Sequence, residues 1–146
     1  MRRQLLPRDL GFDVLPRDEP TLFKWFLASF LFGNRISQAV AADTWRLIVV
    51  EHGRDTPARL CECSHAELVR ILGEGGYRRY DESTATRLQR LCRTLLDHYD
   101  GRILGIAEVA GSREEFERRL LEFRGVGPVT LAIFMREAGP AVFGPA

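Results

Sequence analysis

Apolar positions recur every three to four residues from Thr21 onward, the spacing of helices that bury one face, and no strand-like alternation of useful length appears. The first predicted helix runs from about Thr21 to Phe32 and is apolar nearly all round (Leu22, Phe23, Trp25, Phe26, Leu27, Phe30, Leu31), which marks a central helix stopped by Gly33. The second runs from about Ser37 to His52, with Val40, Ala41, Thr44, Leu47 and Ile48 on one face and Gly53 as its stop. Thr56-Pro57 has the form of a cap and first residue, and predicts a short turn. Ser64 to Glu67 is a capping box and opens a third helix, with Leu68, Ile71 and Leu72 inward, up to Gly73. The fourth spans about Glu82 to Tyr99, with Leu88, Leu91, Cys92, Leu95, Leu96 and Tyr99 in helical register, and ends at Gly101. A second box, Ser112 to Glu115, opens the fifth, which carries Phe116, Leu120, Leu121 and Phe123. Pro128 starts the sixth, which carries Leu131 to Met135 and stops at Gly139. The expected fold is all-α, a compact bundle of about six helices.

Residues 1–20 break this pattern. Leu-Pro-Arg-Asp occurs there twice, and prolines stand at positions 7, 16 and 20. The stretch reads as an extended arm, lying on the domain or loose, ahead of one helical domain over residues 21–146. Lys plus Arg is 21 against 20 for Asp plus Glu, so a net charge of +1 excludes a bulk-basic nucleic-acid binder and leaves room for a local basic face. All the cations but Lys24 are arginines, so apart from the N-terminus only Lys24 offers an amine for a Schiff base.

Cys61, Cys63 and Cys92 are too few for a four-cysteine metal site, so no iron–sulfur cluster is expected. A mixed site using His65 or His98 is a second reading; small packing residues in a reducing cytoplasm is the first. The basic N-terminus is broken by Pro7, Arg8 and Asp9 before any signal-like apolar run forms, and Leu22 to Phe32 is far short of a membrane span. No membrane contact is expected, and the location is read as cytoplasmic and nucleoid-associated.

The most informative stretch is Leu120-Leu121-Glu122-Phe123-Arg124-Gly125-Val126-Gly127-Pro128-Val129-Thr130. Two glycines around one apolar residue allow a tight turn whose bare backbone can approach a ligand. The first N–H groups of the following helix lie at the positive end of its dipole and suit a phosphate. The flanks of this turn resemble the helix-hairpin-helix signature, which grips a DNA backbone without reading sequence. Upstream, Phe30-Leu31-Phe32-Gly33-Asn34-Arg35-Ile36-Ser37 resembles the end of the first core helix in helix-hairpin-helix DNA glycosylases of the endonuclease III superfamily. Gly75-Gly76-Tyr77, with Ala85 and the long helix after it, resembles the same family.

The resemblance implies duplex DNA as partner, with protein partners left open. It implies DNA contacts from Arg124, Gly125, Val126, Gly127, Val129 and Thr130, and from Asn34 and Arg35, with Asn34 filling the gap left by an extruded base. It also implies a monovalent cation on the carbonyls of Leu121, Phe123 and Val126. From the residues themselves, Tyr77, Arg78, Arg79 and Tyr80, continued by Arg87, Arg90 and Arg93, pair arginine with tyrosine as phosphate-and-stacking surfaces do.

The departures limit the implied chemistry. Bifunctional members of that family carry a Schiff-base lysine where this chain has Val129, and a side chain that some relatives insert into DNA falls near Gly76. The family's essential aspartate would fall just after Ala146. Glu137 is the last carboxylate and a weak catalytic substitute. The expected function is therefore an endonuclease III-like, monofunctional glycosylase domain of base-excision repair, inactive as given. The alternative is a non-catalytic DNA-binding or protein-interaction module.

Overall fold

The structure, a computed structural model, describes residues 4–34 and 36–145. Among them are eight α-helices: α1 (Glu19–Phe32), α2 (Gln38–Arg46), α3 (Pro57–Cys61), α4 (His65–Gly75), α5 (Asp81–His98), α6 (Ile103–Ala110), α7 (Arg113–Leu121) and α8 (Pro128–Phe143). The all-α reading holds, with two more helices than expected. Helix α1 is the axis of the core, with ten of its fourteen residues buried. It packs against α2, α6 and α8, while α3 and α4 pack on α5. The buried indoles are satisfied across these joints: Trp25 Nε1 donates to the Phe134 carbonyl at 3.3 Å and Trp45 Nε1 to the Lys24 carbonyl at 2.9 Å.

Local signals account for most helix starts. Ser64 Oγ accepts from Glu67 N–H at 3.1 Å and Glu67 Oε1 accepts from Ser64 N–H at 3.3 Å, so the first capping box closes. The second closes by half. Ser112 Oγ accepts from Glu115 N–H at 3.2 Å, but the Glu115 carboxylate turns to Arg118 and Arg119 instead.

The second predicted helix changes winding at Leu47, where a π-helical turn takes over to Glu51. The sixth does not stop at Gly139. Pro140 removes one helix bond, yet Ala141 and Val142 bury their side chains and carry α8 to Phe143. Arg17 then satisfies the helix end, its N–H donating to the Ala141 carbonyl and its Nη1 to the Val142 carbonyl, both at 2.9 Å. The arm lies on the domain: Pro7–Leu10 form a 3₁₀ turn, Leu10 is buried, and Phe12 stacks on Trp45 with centroids 5.4 Å apart.

Helix α6 has no polar cap of its own. Both Glu19 carboxylate oxygens supply one from α1, accepting from Ile103 N–H at 2.7 Å and Leu104 N–H at 2.9 Å. Burial raises the Glu19 carboxyl above its ordinary range, opposed by these two amides. A raised folded pKa means a penalty on the ionised form that is full above that pKa and relieved as pH falls through it. Glu19→Ala is expected to cost about 1–2 kcal/mol through loss of the cap. Wild type should gain on Glu19→Gln as pH drops from 7 towards the unfolded value of about 4.3. Urea midpoints over a pH series check both, and a pH-independent difference would show that the carboxyl is unshifted.

Candidate nucleic-acid interface

The link from α7 to α8 is a tight turn with buried anchors. Phe123 and Val126 are each 6% exposed, and Val126 N–H donates to the Phe123 carbonyl at 3.0 Å. Phe123 meets Phe26 edge-on at 5.7 Å and lies over Tyr99 at 6.3 Å. The two glycines do different work. Gly125 takes φ +92 and sits so close to Phe30 that a Cβ there would lie 2.7 Å from the ring. Gly127 is extended at φ −109, caps α8, and has open space where a side chain would stand. With Pro128 at the first helical position, the N–H groups of the first turn have no side-chain cap.

Close packing joins this turn to α1 and α5. A Cβ on Gly33 would lie 1.9 Å from Thr130 Oγ1, so the end of α1 abuts the start of α8. A Cβ on Gly125 would lie 3.2 Å from Arg87 Cδ, which brings α5 to the turn. Beside this junction is a cavity of about 270 Å³ lined by Gly33, Asn34, Ile36, Tyr77, Tyr80, Ser83, Thr84 and Arg87. On the other flank an open groove of about 830 Å³ receives Arg90 and Arg93 from α5, Arg119 from α7 and Arg124 from the turn.

Arg46, Arg54, Arg59, Arg102, Arg113, Arg118 and Arg119 each hold a carboxylate. Among the described residues, Arg8, Arg17, Arg70, Arg78, Arg79, Arg87, Arg90, Arg93, Arg124 and Arg136 have none, and six of these, Arg78, Arg79, Arg87, Arg90, Arg93 and Arg124, run from the α4–α5 link along α5 to the turn. The one carboxylate in the groove, Glu122, is bound by Arg118 at 3.2 Å.

The structure gathers most of the residues expected from the sequence and corrects some. Arg124, Gly125 and Gly127 lie together at the turn, with Val129 exposed (63%) beside them and Thr130 buried against Gly33. Arg78 and Arg79 are exposed, but Tyr77 is 1% exposed and unavailable for stacking; Tyr80, at 50%, is the accessible ring. Sequence periodicity is silent here because these residues form a turn between α4 and α5. Burial pushes the Tyr77 phenol up to about 12. The Asn34 side chain opposes that shift, yet no hydrogen bond of normal geometry closes between them, and both Asn34 Nδ2 and Tyr77 OH are buried without a partner. Each such group costs roughly 1–3 kcal/mol.

Arg35 lies outside the described residues. Glu137 stands two turns along α8 from the turn and lines neither flanking cavity. Of the three carbonyls expected to hold a cation, that of Phe123 already accepts one hydrogen bond, from Val126. Burial raises the Cys63 and Cys92 thiols, and among the described residues no three His, Cys, Asp or Glu gather as metal ligands. No described helix is long and apolar enough to cross a membrane. Ile36, Ser83 and Thr84 are cavity residues that the sequence did not single out, since the α1–α2 link and the first turn of α5 come together only in the fold.

No protein-family model and no curated protein matches the sequence. Among solved structures the chain is similar to an endonuclease III–DNA covalent intermediate trapped as an estranged-adenine complex. The TM-score is 0.58 at 22% identity, over 88% of this chain and 53% of that one. The likeness is one of fold, and this chain spans about half of that protein's length.

Proposed function

We propose that this domain binds duplex DNA through its phosphates, at the α7–α8 turn and the arginine band beside it, as the DNA-gripping core of a base-excision repair glycosylase. The band carries the reading: in a chain whose net charge is only +1, six guanidiniums without carboxylates follow one another along the α4–α5 link, α5 and the turn, and Arg90, Arg93 and Arg124 meet in one groove. The bare start of α8 supports it, since uncapped N–H groups at a positive helix end suit a phosphate oxygen. The endonuclease III-like residues around Asn34 and Gly125–Gly127 and the fold likeness point the same way.

Base release is not part of the proposal. Glycosidic cleavage needs a carboxylate near the developing positive charge. The cavity beside the turn has none, and the groove has only Glu122, already held by Arg118. Val129 offers no amine. Single-turnover assays with uracil-, alkyl- and oxidised-base duplexes are expected to show no release above the protein-free control. Release abolished by Glu137→Gln would reverse this.

Fluorescence anisotropy with a labelled duplex tests the binding. The expected Kd is about 10⁻⁴–10⁻⁶ M at physiological salt, with log K falling by about 0.9 per phosphate contact for each tenfold rise in salt. Gly127→Glu places a negative charge at the start of α8 in open space and at a φ any residue adopts, so its effect reads charge and not strain. It should weaken binding about tenfold or more, by the Coulomb scale for nearby charges at a protein surface, while Gly127→Ala should not. Duplex affinity indifferent to salt and to Gly127→Glu would leave the protein-interaction reading.

A further inference from the structure

We propose that the open groove between α5 and the end of α7 is a docking site for an acidic segment of a partner protein, bound in extended form. This goes beyond the duplex reading. The two share guanidiniums, but a duplex needs only exposed charge beside the turn, whereas the groove is a recess.

The groove, of about 830 Å³, is elongated. One wall is a single stripe of α5, in which Thr86, Gln89, Arg90, Arg93, Thr94 and His98 recur at helical spacing. At a rise of about 1.5 Å per residue the stripe runs about 18 Å. The facing wall is Arg119 and Glu122 at the end of α7, with Arg124 of the turn. An extended chain advances about 3.3 Å per residue, so about five or six residues span that length.

Its charge is one-sided. Arg90, Arg93 and Arg124 hold no carboxylate, and the groove's single carboxylate, Glu122, is bound by Arg118. Arg119 is held in the wall by Glu115 at 3.0 Å and by the Tyr99 hydroxyl at 3.2 Å. Like charges lining one recess repel, and an anion between them relieves that repulsion. Planar guanidiniums take carboxylates two bonds at a time. Phosphates would also satisfy them, and the rings decide between the two. A single nucleic-acid strand adds to charge the stacking of successive bases on aromatic faces. Here Tyr99 and Phe123 are 9% and 6% exposed and stacked on each other, which leaves the His98 ring at one end. The accessible Tyr80 lines the other cavity. An acidic peptide asks for no stacking face.

The test titrates the chain at low salt with hexaglutamate and, separately, with hexathymidylate, a strand of similar length and charge. Amide chemical shifts locate each probe, and anisotropy of labelled probes gives the affinities. Hexaglutamate is expected to shift the amides of Thr86, Gln89, Arg90, Arg93 and Thr94, and to bind about fivefold more tightly than hexathymidylate. Arg93→Glu should weaken it about tenfold or more. Arg70→Glu makes the same change in net charge on α4, outside the groove, and should weaken it less than about twofold. Both arginines are exposed, so neither variant should lower the melting temperature appreciably. Those five amides unmoved by hexaglutamate, or equal losses from the two charge reversals, overturn the proposal. So does hexathymidylate as the tighter ligand at the same amides, which would make the groove a single-strand channel. Failure of the duplex reading looks different: paired-duplex affinity indifferent to salt and to Gly127→Glu, with the hexaglutamate shifts intact.

Discussion

Phe26→Ala should cost about 3–5 kcal/mol, a large share of the ~5–15 kcal/mol that holds a domain folded. Phe26 is fully buried, and its ring meets Phe123 of the turn at 5.7 Å and Phe134 of α8 at 5.1 Å, both edge-on. Truncation opens a cavity where three elements meet, α1, the turn and α8, so little of the space can collapse. For a chain of 146 residues this is a fall in Tm of about 6–20 °C. Urea unfolding should show a lower midpoint at an unchanged slope. Because Phe123 loses its partner, duplex affinity should fall even where the variant is folded, whereas Phe26→Leu should recover part of both. A loss below about 1 kcal/mol would mean that the turn is not seated on α1 as described.

Gly125→Ala should cost about 2–4 kcal/mol although it adds one methyl group. Two penalties combine. The left-handed backbone at φ +92 costs a non-glycine residue about 1–2 kcal/mol. The new Cβ would lie 2.7 Å from Phe30 Cε2, on a ring that is fully buried and cannot swing away, and overpacking of this kind costs about 1–3 kcal/mol. Gly127→Ala, two residues on, meets open space at an ordinary φ and should stay within about 0.5 kcal/mol of wild type. The pair separates the glycine that shapes the turn from the one that leaves it bare. Equal costs at the two positions would refute that division.

What the sequence disclosed depended on how far apart the cooperating residues lie. The capping box at Ser64 was readable because its partner is three residues away. Helix α6 was not, since its cap is Glu19, 84 residues upstream, and Ile103 to Ala110 shows only a short apolar run with Gly105 inside. That glycine is there for the fold: a Cβ on it would lie 2.2 Å from the Tyr99 carbonyl. The end of α8 was misplaced because Gly139-Pro140 looks like a stop, and Arg17, which carries the helix past it, is remote in sequence. The α7–α8 turn was visible as Gly-Val-Gly-Pro, since its geometry is set by its own residues. The cavity was not, because it is assembled from α1, the α4–α5 link and α5. Tyr77 and Tyr80 stand in one arginine-rich run, and outside a helix no period tells which ring is buried.

The arginine band has a consequence for regulation. Every cation in it is a guanidinium, and Lys24, the chain's single lysine, stands in α1. A guanidinium stays protonated at any physiological pH and is not a substrate for lysine acetylation. The charge of these guanidiniums is therefore fixed: neither a rise in cellular pH nor an acetyltransferase can lower their hold on a polyanion. Control has to come from outside the band, through ionic strength, a competing anion or arginine methylation, which keeps the charge but blocks bidentate hydrogen bonds.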